Sequence, residues 1–377
     1  MKWGAVAVAL AVLVAAGSAS ACGSKKHKDV VVGVPTTEVA TAPRQARIVE
    51  EPASSSSASG AARRSPRDPR LMIGPDGRPY GSPLVFRSDV PVPRDLLFIL
   101  VVGSDARPGQ NLRKANGDSL HLLAVNPKTL QGTIMGIPRD AWVEIPGKGN
   151  GKINSALSMG GPDLLAKTVR HLTGLPVHYW VLTGFSGLSS MVDDLGGVDV
   201  FVDHRMDDRE SGAHFEAGWH HFTGWQALAF SRARHSEPNG DFDRSRNQGT
   251  LLLATLTKMR AEVEDDEGLK RWVDVLTRHA ELDAPLRSLL GLAALARRLD
   301  PASVANVVVP GRVGSAGRQS VVYLGAEAGE LFLDLRPDGV VGEAGPEATT
   351  TTTSSTTSTT STSTTSTSTS STSTTLR

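Results

Sequence analysis

The sequence is poor in cysteine and has no excess of charge of either sign. Its 377 residues include one cysteine, Cys22, so no disulfide within the chain can stabilise the fold. Lysine and arginine number 40 against 39 acidic residues, which gives a net charge of +1. Proteins that act on nucleic acid usually carry a basic excess, so we expect no nucleic-acid partner. The length and the 39% of hydrophobic residues fit one sizeable globular domain with additional segments.

Sequence motifs of several common enzyme classes are also missing. The chain has no GxSxG nucleophile elbow, no P-loop and no cysteine placed as a nucleophile. His214, His220 and His221 lie close together, but their spacing matches no structural or catalytic zinc site. We interpret them as solvated loop histidines. If the protein is an enzyme, none of its side chains is therefore an obvious nucleophile.

The chain begins with a targeting segment. Lys2 precedes an apolar run from Trp3 to about Ala16, and small residues then lead to Cys22. In one interpretation Cys22 is linked to a lipid, as in bacterial lipoproteins; in the other, Trp3–Ala21 stays uncleaved as a membrane anchor. We favour the lipoprotein and assign residues 1–22 to this segment. Either form would hold the N-terminus at the extracytoplasmic face of the cell membrane.

Two further segments have a composition that cannot form a core. Residues 23–93 are rich in Pro, Ser, Ala and Arg without a sustained apolar period, which predicts a disordered tether. From Ala348 to Thr375 almost every residue is Thr or Ser, which predicts that residues 343–377 form a disordered tail, either glycosylated or threaded into the cell wall. One folded domain over residues 94–342 is expected between them.

Within that domain, apolar runs of strand length alternate with amphipathic stretches of helix length. Residues 96–103 read LLFILVVG, a buried strand, and residues 120–126 and 132–137 flank a turn and predict a hairpin. Helices are predicted over 161–174, 185–197 and 244–264, and further strands over 178–183, 198–202, 305–311 and 319–325. This order predicts an α/β fold in which helices flank a central mixed β-sheet.

Polar side chains follow or precede several of these strands. Asp105 and Arg107 come directly after the buried strand, Asp118 precedes the next strand, and Arg139 follows the third. The ends of neighbouring strands are where α/β sheets build their binding sites. Paired carboxylates are hard oxygen ligands suited to magnesium, and arginines bind phosphate oxygens in pairs. An aspartate that follows a strand is more often a turn or cap residue than a ligand, so a site depends on the convergence of these residues.

A second group of charges lies in FSRARHSEPNGDFDRSRNQ, residues 230–248. Four arginines and two aspartates surround the turn at Asn239-Gly240. A solvated charged loop explains such a run without any function. Convergence of these arginines on the carboxylates at the strand ends would instead form a site for a diphosphate, because each guanidinium can bind two oxygens of a phosphate.

The motifs as a set resemble those of the LytR-CpsA-Psr family of cell-envelope phosphotransferases. The resemblance is carried, in order along the chain, by VVGSDARPG, GDSLHLLAVNP, IMGIPRDAW, GKINSALSMGGPDLLAKTV, LTGLPVHYWVLTGFSGLSSMVDDLGGVDV and GWHHFTGWQALAFSRARHSEPNGDFDRSRNQ. It covers residues 96–260 and extends to about residue 335. It implies a single domain with a hydrophobic lipid cavity. It also implies Mg²⁺ or Mn²⁺ as cofactor, a polyprenyl-diphosphate-linked glycan as donor and peptidoglycan as acceptor.

The resemblance also implies roles for individual residues. Asp105 and Asp118 would hold the metal, and Asp241 would position arginines or assist the acceptor, so that Asp105, Arg139 and Asp241 form the catalytic group. The diphosphate would be bound by Arg107, Arg139, Arg232, Arg234 and Arg244. The proton of the acceptor hydroxyl could pass to Asp105 or to Asp241, or the metal alone could activate the hydroxyl; the sequence leaves these alternatives open.

Two positions depart from the pattern of the family. Asn116 stands two residues before Asp118, where the family usually has arginine, and Arg113 or Lys114 is the candidate replacement. Asn247 stands where many members have arginine, whereas Gln248 is retained. Two functions therefore follow from the sequence. The first is transfer of a glycopolymer from the lipid carrier to a peptidoglycan hydroxyl through a phosphodiester; the alternative is a non-catalytic or pyrophosphatase-like protein that binds polyprenyl phosphate.

Overall fold

The computed structural model describes residues 83–84 and 86–342. The predicted N-terminal segment with Cys22, most of the predicted tether and the Thr/Ser-rich tail from residue 343 lie outside the described residues. The described end of the tether contacts the domain. Phe86 packs edge-on against Phe332, with ring centroids 5.7 Å apart, and Nε of Arg336 donates to the Val90 carbonyl at 2.6 Å. The contacts of the folded domain therefore extend N-terminally of residue 94.

In the described chain, runs of strands are separated by single helices or by a short run of helices. The α-helices are α1 (Ser155–Thr173), α2 (Phe185–Asp194), α3 (Gly224–Arg232), α4 (Asp241–Glu262), α5 (Asp266–His279), α6 (Leu286–Arg298) and α7 (Ala326–Asp338). The strands are β1 (Leu97–Ser104), β2 (Gly117–Asn126), β3 (Gln131–Gly136), β4 (Trp142–Ile145), β5 (Gly149–Lys152), β6 (Tyr179–Thr183), β7 (Val198–Val202), β8 (Met206–Asp208), β9 (Ala213–Phe215), β10 (Gly218–Phe222), β11 (Glu281–Leu282), β12 (Val304–Val308), β13 (Arg312–Ala316) and β14 (Gln319–Tyr323).

Six strands form the central sheet in the order β11-β6-β1-β2-β3-β12. Strand β2 is antiparallel to both of its neighbours, β1 and β3. Strand β6 runs parallel to β1, and β12 runs parallel to β3. The predicted hairpin is thus present as β2 and β3, with Leu122 opposite Met135. The predicted α/β fold, a central mixed sheet flanked by helices, is confirmed.

Two predicted strands do not join this sheet. Strand β7 pairs with β10, and β14 pairs with β13, each in a separate two-stranded sheet. The edge of the central sheet beyond β3 is already occupied by β12. Strand β14 reaches the neighbouring segment through a single bridge from Val322 to Ala141. Apolar sequence therefore identified these segments as strands but not their partners.

Hydrophobic cores lie on both faces of the central sheet. Successive residues of β1 point to opposite faces: Phe98 and Leu100 belong to the core that contains α1 and α7, and Ile99 and Val101 belong to the core that contains α2 and α4 to α6. A strand covered on both faces is apolar throughout, as the sequence of β1 is. The fold is a sheet between two helical layers.

Helix α1 shows how local sequence sets the helix limits. Gly160 and Gly161 have non-helical dihedral angles, so the helix is kinked there and Pro162 opens its longer, second part. At the other end Gly174 adopts the left-handed conformation, with φ of 64°, and its N–H bonds to the Arg170 carbonyl. None of the described helices combines the length and the apolar character that crossing a bilayer requires.

Candidate functional site

The polar residues at the strand ends meet at one edge of the central sheet. Because β2 runs opposite to β1 and β3, the ends of β1 and β3 lie beside the start of β2. Asp105 follows β1, Asp118 is the second residue of β2, and Arg139 comes three residues after β3. Strand β6 ends at the same edge and leads through Gly184 into Phe185 at the start of α2. The topology thus brings together side chains from four strands.

Asp241 connects this edge to the second group of charges. Its carboxylate lies 3.4 Å from Nε of Arg139, 3.1 Å from a terminal nitrogen of Arg244 and 3.8 Å from one of Arg234. Arg139 in turn bonds to Asp118 at 2.7 Å. Two carboxylates and three arginines therefore form one ion-pair network, rather than a solvated loop beside a separate strand edge.

The start of helix α4 explains part of this geometry. The helix begins at Asp241, three residues before its predicted start at Arg244. Asp241 and Arg244 consequently lie one turn apart on the same helix face, the spacing at which side chains meet. Asp241 and Asp243 both lie in the first turn, where the helix dipole favours negative charge.

Arg244 and Arg139 are the least exposed arginines of the network, with 8% and 18% of their side chains accessible. Burial lowers the pKa of Arg244, and the nearby guanidinium groups add to this effect, against the attraction of Asp241. For Arg139, burial also acts to lower the pKa, but Asp118 and Asp241 outweigh it and the pKa is raised. Both side chains stay cationic, since arginine does not lose its proton in proteins at ordinary pH.

Two further arginines are held by an aromatic ring that sequence reasoning missed. The guanidinium carbon of Arg232 lies 4.9 Å from the centroid of Phe185, and that of Arg107 lies 5.6 Å from it. Cations placed over an aromatic ring are attracted by its quadrupole. Phe185 therefore fixes two positive groups in the same pocket without neutralising them.

The other loop residues are placed differently. Arg246 bonds to Asp243 at 2.8 Å and is exposed, so this pair lies apart from the network of Asp241. Asp243 also accepts a hydrogen bond from the backbone N–H of Asn239 at 2.8 Å and thereby closes the turn before α4. Gln248 lines the pocket, and its side-chain amide donates to the Ser231 carbonyl at 2.9 Å.

Neither of the two candidate replacements for the missing arginine, Arg113 and Lys114, lines the pocket. Arg113 bonds to Glu281 at 2.6 Å and packs over Trp180, outside the pocket lining. Asn116 accepts a hydrogen bond from the Ser158 hydroxyl at 3.1 Å, and its backbone N–H donates to Asp105 at 2.8 Å. Asn116 thus orients Asp105 rather than binding an anion itself.

Asp105 and Asp118 fit the ligand preferences of Mg²⁺. Both carboxylates line the same pocket, and Mg²⁺ is usually held by one or two carboxylates together with water and substrate phosphates. No cluster of three or more metal-binding side chains occurs among the described residues. The donor set suits a shared metal–phosphate site and does not suit a closed, all-protein metal cage.

Asp105, Asp118 and the five arginines predicted to bind the diphosphate line one pocket of about 190 Å³, whereas Asp241 and Arg246 lie outside its lining. One wall is apolar and includes Phe185, Leu188 and Leu228, so apolar space of the expected kind lies beside Arg139 and Arg232. On the α1 side, Leu165 and Leu172 are buried in the core and line no part of this pocket. The volume is below the roughly 300–1,000 Å³ of sites that enclose drug-sized ligands.

Behind the charged edge lies a buried histidine. His121 of β2 contacts the Ser245 carbonyl of α4 through Nε2 at 3.0 Å and the Ser119 hydroxyl through Nδ1 at 3.2 Å. Burial lowers its pKa to about 4, against the effect of the Ser245 contact. A neutral imidazole therefore joins the strand that carries Asp118 to the helix that carries Asp241.

Asp208 and His235 also line the pocket and were missed by sequence reasoning. Asp208 is the last residue of β8, in an acidic stretch that matches no motif. No local signal in the sequence therefore identifies it. His235 directly follows Arg234 in the charged loop that we had singled out. Its position next to an arginine of the network was the available signal.

Comparison with known proteins gives the family of this chain. The model of the LytR_cpsA_psr family matches residues 86–332. The chain belongs to the LytR-CpsA-Psr family. The match begins at Phe86, in the segment that packs on the domain N-terminally of residue 94, and ends at Phe332, the partner of its ring.

Curated relatives in the LytR-CpsA-Psr family are named polyisoprenyl-teichoic acid–peptidoglycan teichoic acid transferase TagU. The protein from Bacillus anthracis strain CDC 684 is 39% identical over 161 residues, 42% of this chain and 52% of the relative. The protein from Enterococcus faecalis strain V583 is 30% identical over 162 residues, 43% of this chain and 53% of the relative. The chain thus spans about half the length of the curated relatives that it matches.

Solved structures of similar fold include TagT bound to LI-WTA and TagV of Bacillus subtilis. The first is 25% identical, with a TM-score of 0.53 over 64% of this chain and 90% of that chain. The second is also 25% identical, with a TM-score of 0.55 over 63% of this chain and 94% of that chain. The mixed sheet with its flanking helices is therefore a fold shared with other members of the family.

Proposed function

We propose that this protein is a phosphotransferase that moves a glycopolymer from a polyprenyl-diphosphate carrier to a hydroxyl of peptidoglycan. The observation that carries the proposal is the convergence of five arginines on one pocket: Arg107, Arg139, Arg232, Arg234 and Arg244. A diphosphate offers several anionic oxygens to such a set. The names of the TagU relatives and the ligand of the TagT structure support the same donor and acceptor classes.

The reaction needs no covalent intermediate on the protein. The hydroxyl oxygen of the acceptor attacks the phosphorus next to the glycan, and the bond from that phosphorus to the bridging oxygen breaks. Negative charge then accumulates on the departing polyprenyl phosphate. Fixed guanidinium groups stabilise this charge in the transition state, which is the main contribution a protein makes to phosphoryl transfer.

Divalent metal is part of this proposal. Asp105 and Asp118 would hold Mg²⁺ or Mn²⁺, and the metal would supply additional charge neutralisation at the diphosphate. Asn116 keeps Asp105 in place through its backbone N–H. The substitution Asp105→Asn should remove most of the difference between activity with Mg²⁺ and activity after EDTA treatment. An unchanged metal dependence would place the metal elsewhere.

The polyprenyl chain of the donor would lie along the apolar wall formed by Phe185, Leu188 and Leu228. Because the pocket is small, the chain would leave the pocket along the helices after a few carbon atoms, unless α2 and α3 separate. The predicted lipid anchor at Cys22, or an uncleaved N-terminal helix, would keep the domain at the extracytoplasmic face of the membrane where such donors lie. Mass spectrometry of the mature N-terminus distinguishes these two anchors.

The alternative function is binding or hydrolysis of the lipid diphosphate without transfer. Two observations favour it: Asn116 contributes no guanidinium, and Arg113 is engaged with Glu281 and Trp180. The full chain would be incubated with a synthetic polyprenyl-diphosphate disaccharide and Mg²⁺, with and without soluble peptidoglycan fragments. We expect a phosphodiester-linked product that requires the acceptor. Release of disaccharide phosphate alone would support hydrolysis, and unchanged donor would support a binding protein.

A further inference from the structure

His235 and Asp208 form a pair at the lining of the pocket that the ion-pair network does not use. Nδ1 of His235 lies 3.4 Å from the Asp208 carboxylate, and the backbone N–H of His235 donates to the same carboxylate at 2.9 Å. The aspartate side chain is only 1% exposed, whereas 47% of the histidine side chain is exposed. A buried carboxylate thus holds an accessible imidazole at the pocket.

The state of Asp208 follows from its surroundings. Burial acts to raise its pKa, but hydrogen bonds from the backbone N–H groups of Arg234, His235, Ser211 and Glu210 outweigh burial, and the pKa lies well below the ordinary range. The carboxylate therefore keeps its charge. A carboxylate at Nδ1 fixes a histidine in the tautomer that carries its proton on Nδ1, which leaves the lone pair on Nε2.

Among the described residues, Nε2 of His235 has no hydrogen-bond partner. The Glu210 carboxylate lies 3.8 Å from it and is 75% exposed. The other charged groups beside His235 are Asp208, on β8, and Arg234, the preceding residue of the same loop. An imidazole oriented by a buried carboxylate, with its second nitrogen free to take a proton, is the arrangement of a general base.

The carboxylates that sequence analysis left as candidates are less suited to this task. Asp241 lies within 4 Å of three guanidinium groups, so its oxygens are engaged in ion pairs. Asp105 accepts a hydrogen bond from the Asn116 backbone and is a candidate metal ligand. The oxygens of both carboxylates thus have other partners, whereas Nε2 of His235 has no hydrogen-bond partner among the described residues.

The geometry points to His235 as the general base that removes the proton of the acceptor hydroxyl, with Asp208 as its positioning residue. This inference rests on the proposed transfer reaction. The O–H bond of the acceptor breaks as its proton moves to Nε2, and the freed electron pair of the oxygen forms the new bond to phosphorus. The electron pair of the broken phosphorus–oxygen bond leaves with the polyprenyl phosphate, and the imidazolium later releases its proton to water.

Imidazole rescue tests this role on the full-length protein. The parent, His235→Ala and His214→Ala would be compared with the polyprenyl-diphosphate disaccharide as donor and peptidoglycan fragments as acceptor. His214 is a matched control, because it also pairs with an aspartate, Asp207 at 2.6 Å, but lies outside the pocket lining. General-base catalysis contributes about 10²–10⁴-fold. We therefore expect kcat of His235→Ala to fall at least 100-fold with donor affinity unchanged, and His214→Ala to behave as the parent.

Added imidazole should restore part of the lost rate in His235→Ala only, because the exposed position leaves room for it. The fall of kcat/KM of the parent at low pH should be absent from His235→Ala without imidazole. Asp208→Asn should lower kcat as well, with the donor still bound. Equal rates and pH profiles in the parent and His235→Ala would overturn the role of His235 while transfer itself stands. Absence of transfer by the parent would overturn the proposed function, and this inference with it.

Discussion

Arg139→Ala removes the residue that joins the two carboxylates of the ion-pair network. Its guanidinium bonds to Asp118 at 2.7 Å and lies 3.4 Å from Asp241, and about a fifth of its side chain is exposed. Exposed pairs contribute about 0–1 kcal/mol, whereas breaking a buried pair costs about 3–5 kcal/mol. Asp241 keeps its contact with Arg244. We therefore expect the free energy of unfolding to fall by about 1–3 kcal/mol, a decrease in Tm of roughly 2–12 °C.

The effect on donor binding should be larger than the effect on stability. Removing one member of a desolvated, charged hydrogen bond costs about 2–5 kcal/mol. At about 1.4 kcal/mol for each factor of ten, this loss weakens donor binding roughly 30-fold to several thousand-fold. The measurement is the Kd for the polyprenyl-diphosphate disaccharide in Mg²⁺, determined at a temperature where parent and variant are both fully folded.

Arg246→Ala is the matched control for this substitution. Arg246 lies in the same loop and pairs with Asp243, but 55% of its side chain is exposed and Asp243 keeps its bond to Asn239. The cost should be at most about 1 kcal/mol of stability, with no change in donor affinity. Equal donor affinities of Arg139→Ala and the parent would refute the diphosphate site, as would equal losses in Arg139→Ala and Arg246→Ala.

Three further substitutions test the supporting structure. Phe185→Leu removes the ring that holds two arginines. Because cation–π contacts contribute about 0.5–2 kcal/mol each, the Kd for the donor should rise roughly tenfold. An unchanged Kd would contradict the role of the ring. Burial lowers the pKa of His121 to about 4, so below pH 6.5 the unfolded chain binds more protons than the folded protein. The free energy of unfolding should therefore decrease by up to about 3 kcal/mol as the pH falls to 4. Urea titrations should show a smaller decrease for His121→Gln than for the parent, and an equal decrease would exclude His121 as its source. Gly136→Ala would place a methyl group 2.3 Å from the Ser245 hydroxyl oxygen. We expect the free energy of unfolding, measured by urea titration, to fall by about 1–3 kcal/mol and to be largely restored by an added Ser245→Gly. If the second substitution restores no stability, the clash is not with the serine.

Local patterns in the sequence predicted most of the elements around the site. The apolar run of β1, the turn between β2 and β3, and the end of α1 at Gly174 were all placed correctly, because each depends on neighbouring residues only. The start of α4 was placed three residues late, since the charged first turn resembles a loop as much as a helix. The roles that we expect for the arginines came from the family resemblance, because periodicity alone gives no role for a charged side chain.

Side-chain partners were harder to predict because they depend on packing between distant segments. Arg113 pairs with Glu281, 168 residues further along the chain. It therefore does not replace the arginine that the family usually has at the position of Asn116. Phe185 and His235 contribute to the pocket through chain folding rather than through a motif. The apolar face of α1 closes against the sheet, because Leu165 and Leu172 find complementary side chains there.

The sequence by itself determined that a buried strand is followed by charged residues and that arginines surround a turn before a long helix. These features follow from residue type and spacing, which act over a few residues. Only the tertiary structure decided that Arg139 reaches Asp241 across 102 residues and that Asp208 holds His235 at the same pocket. The physical reason is that an ion pair or a catalytic pair requires two side chains within about 4 Å, and the folding of the sheet and helices alone sets such distances.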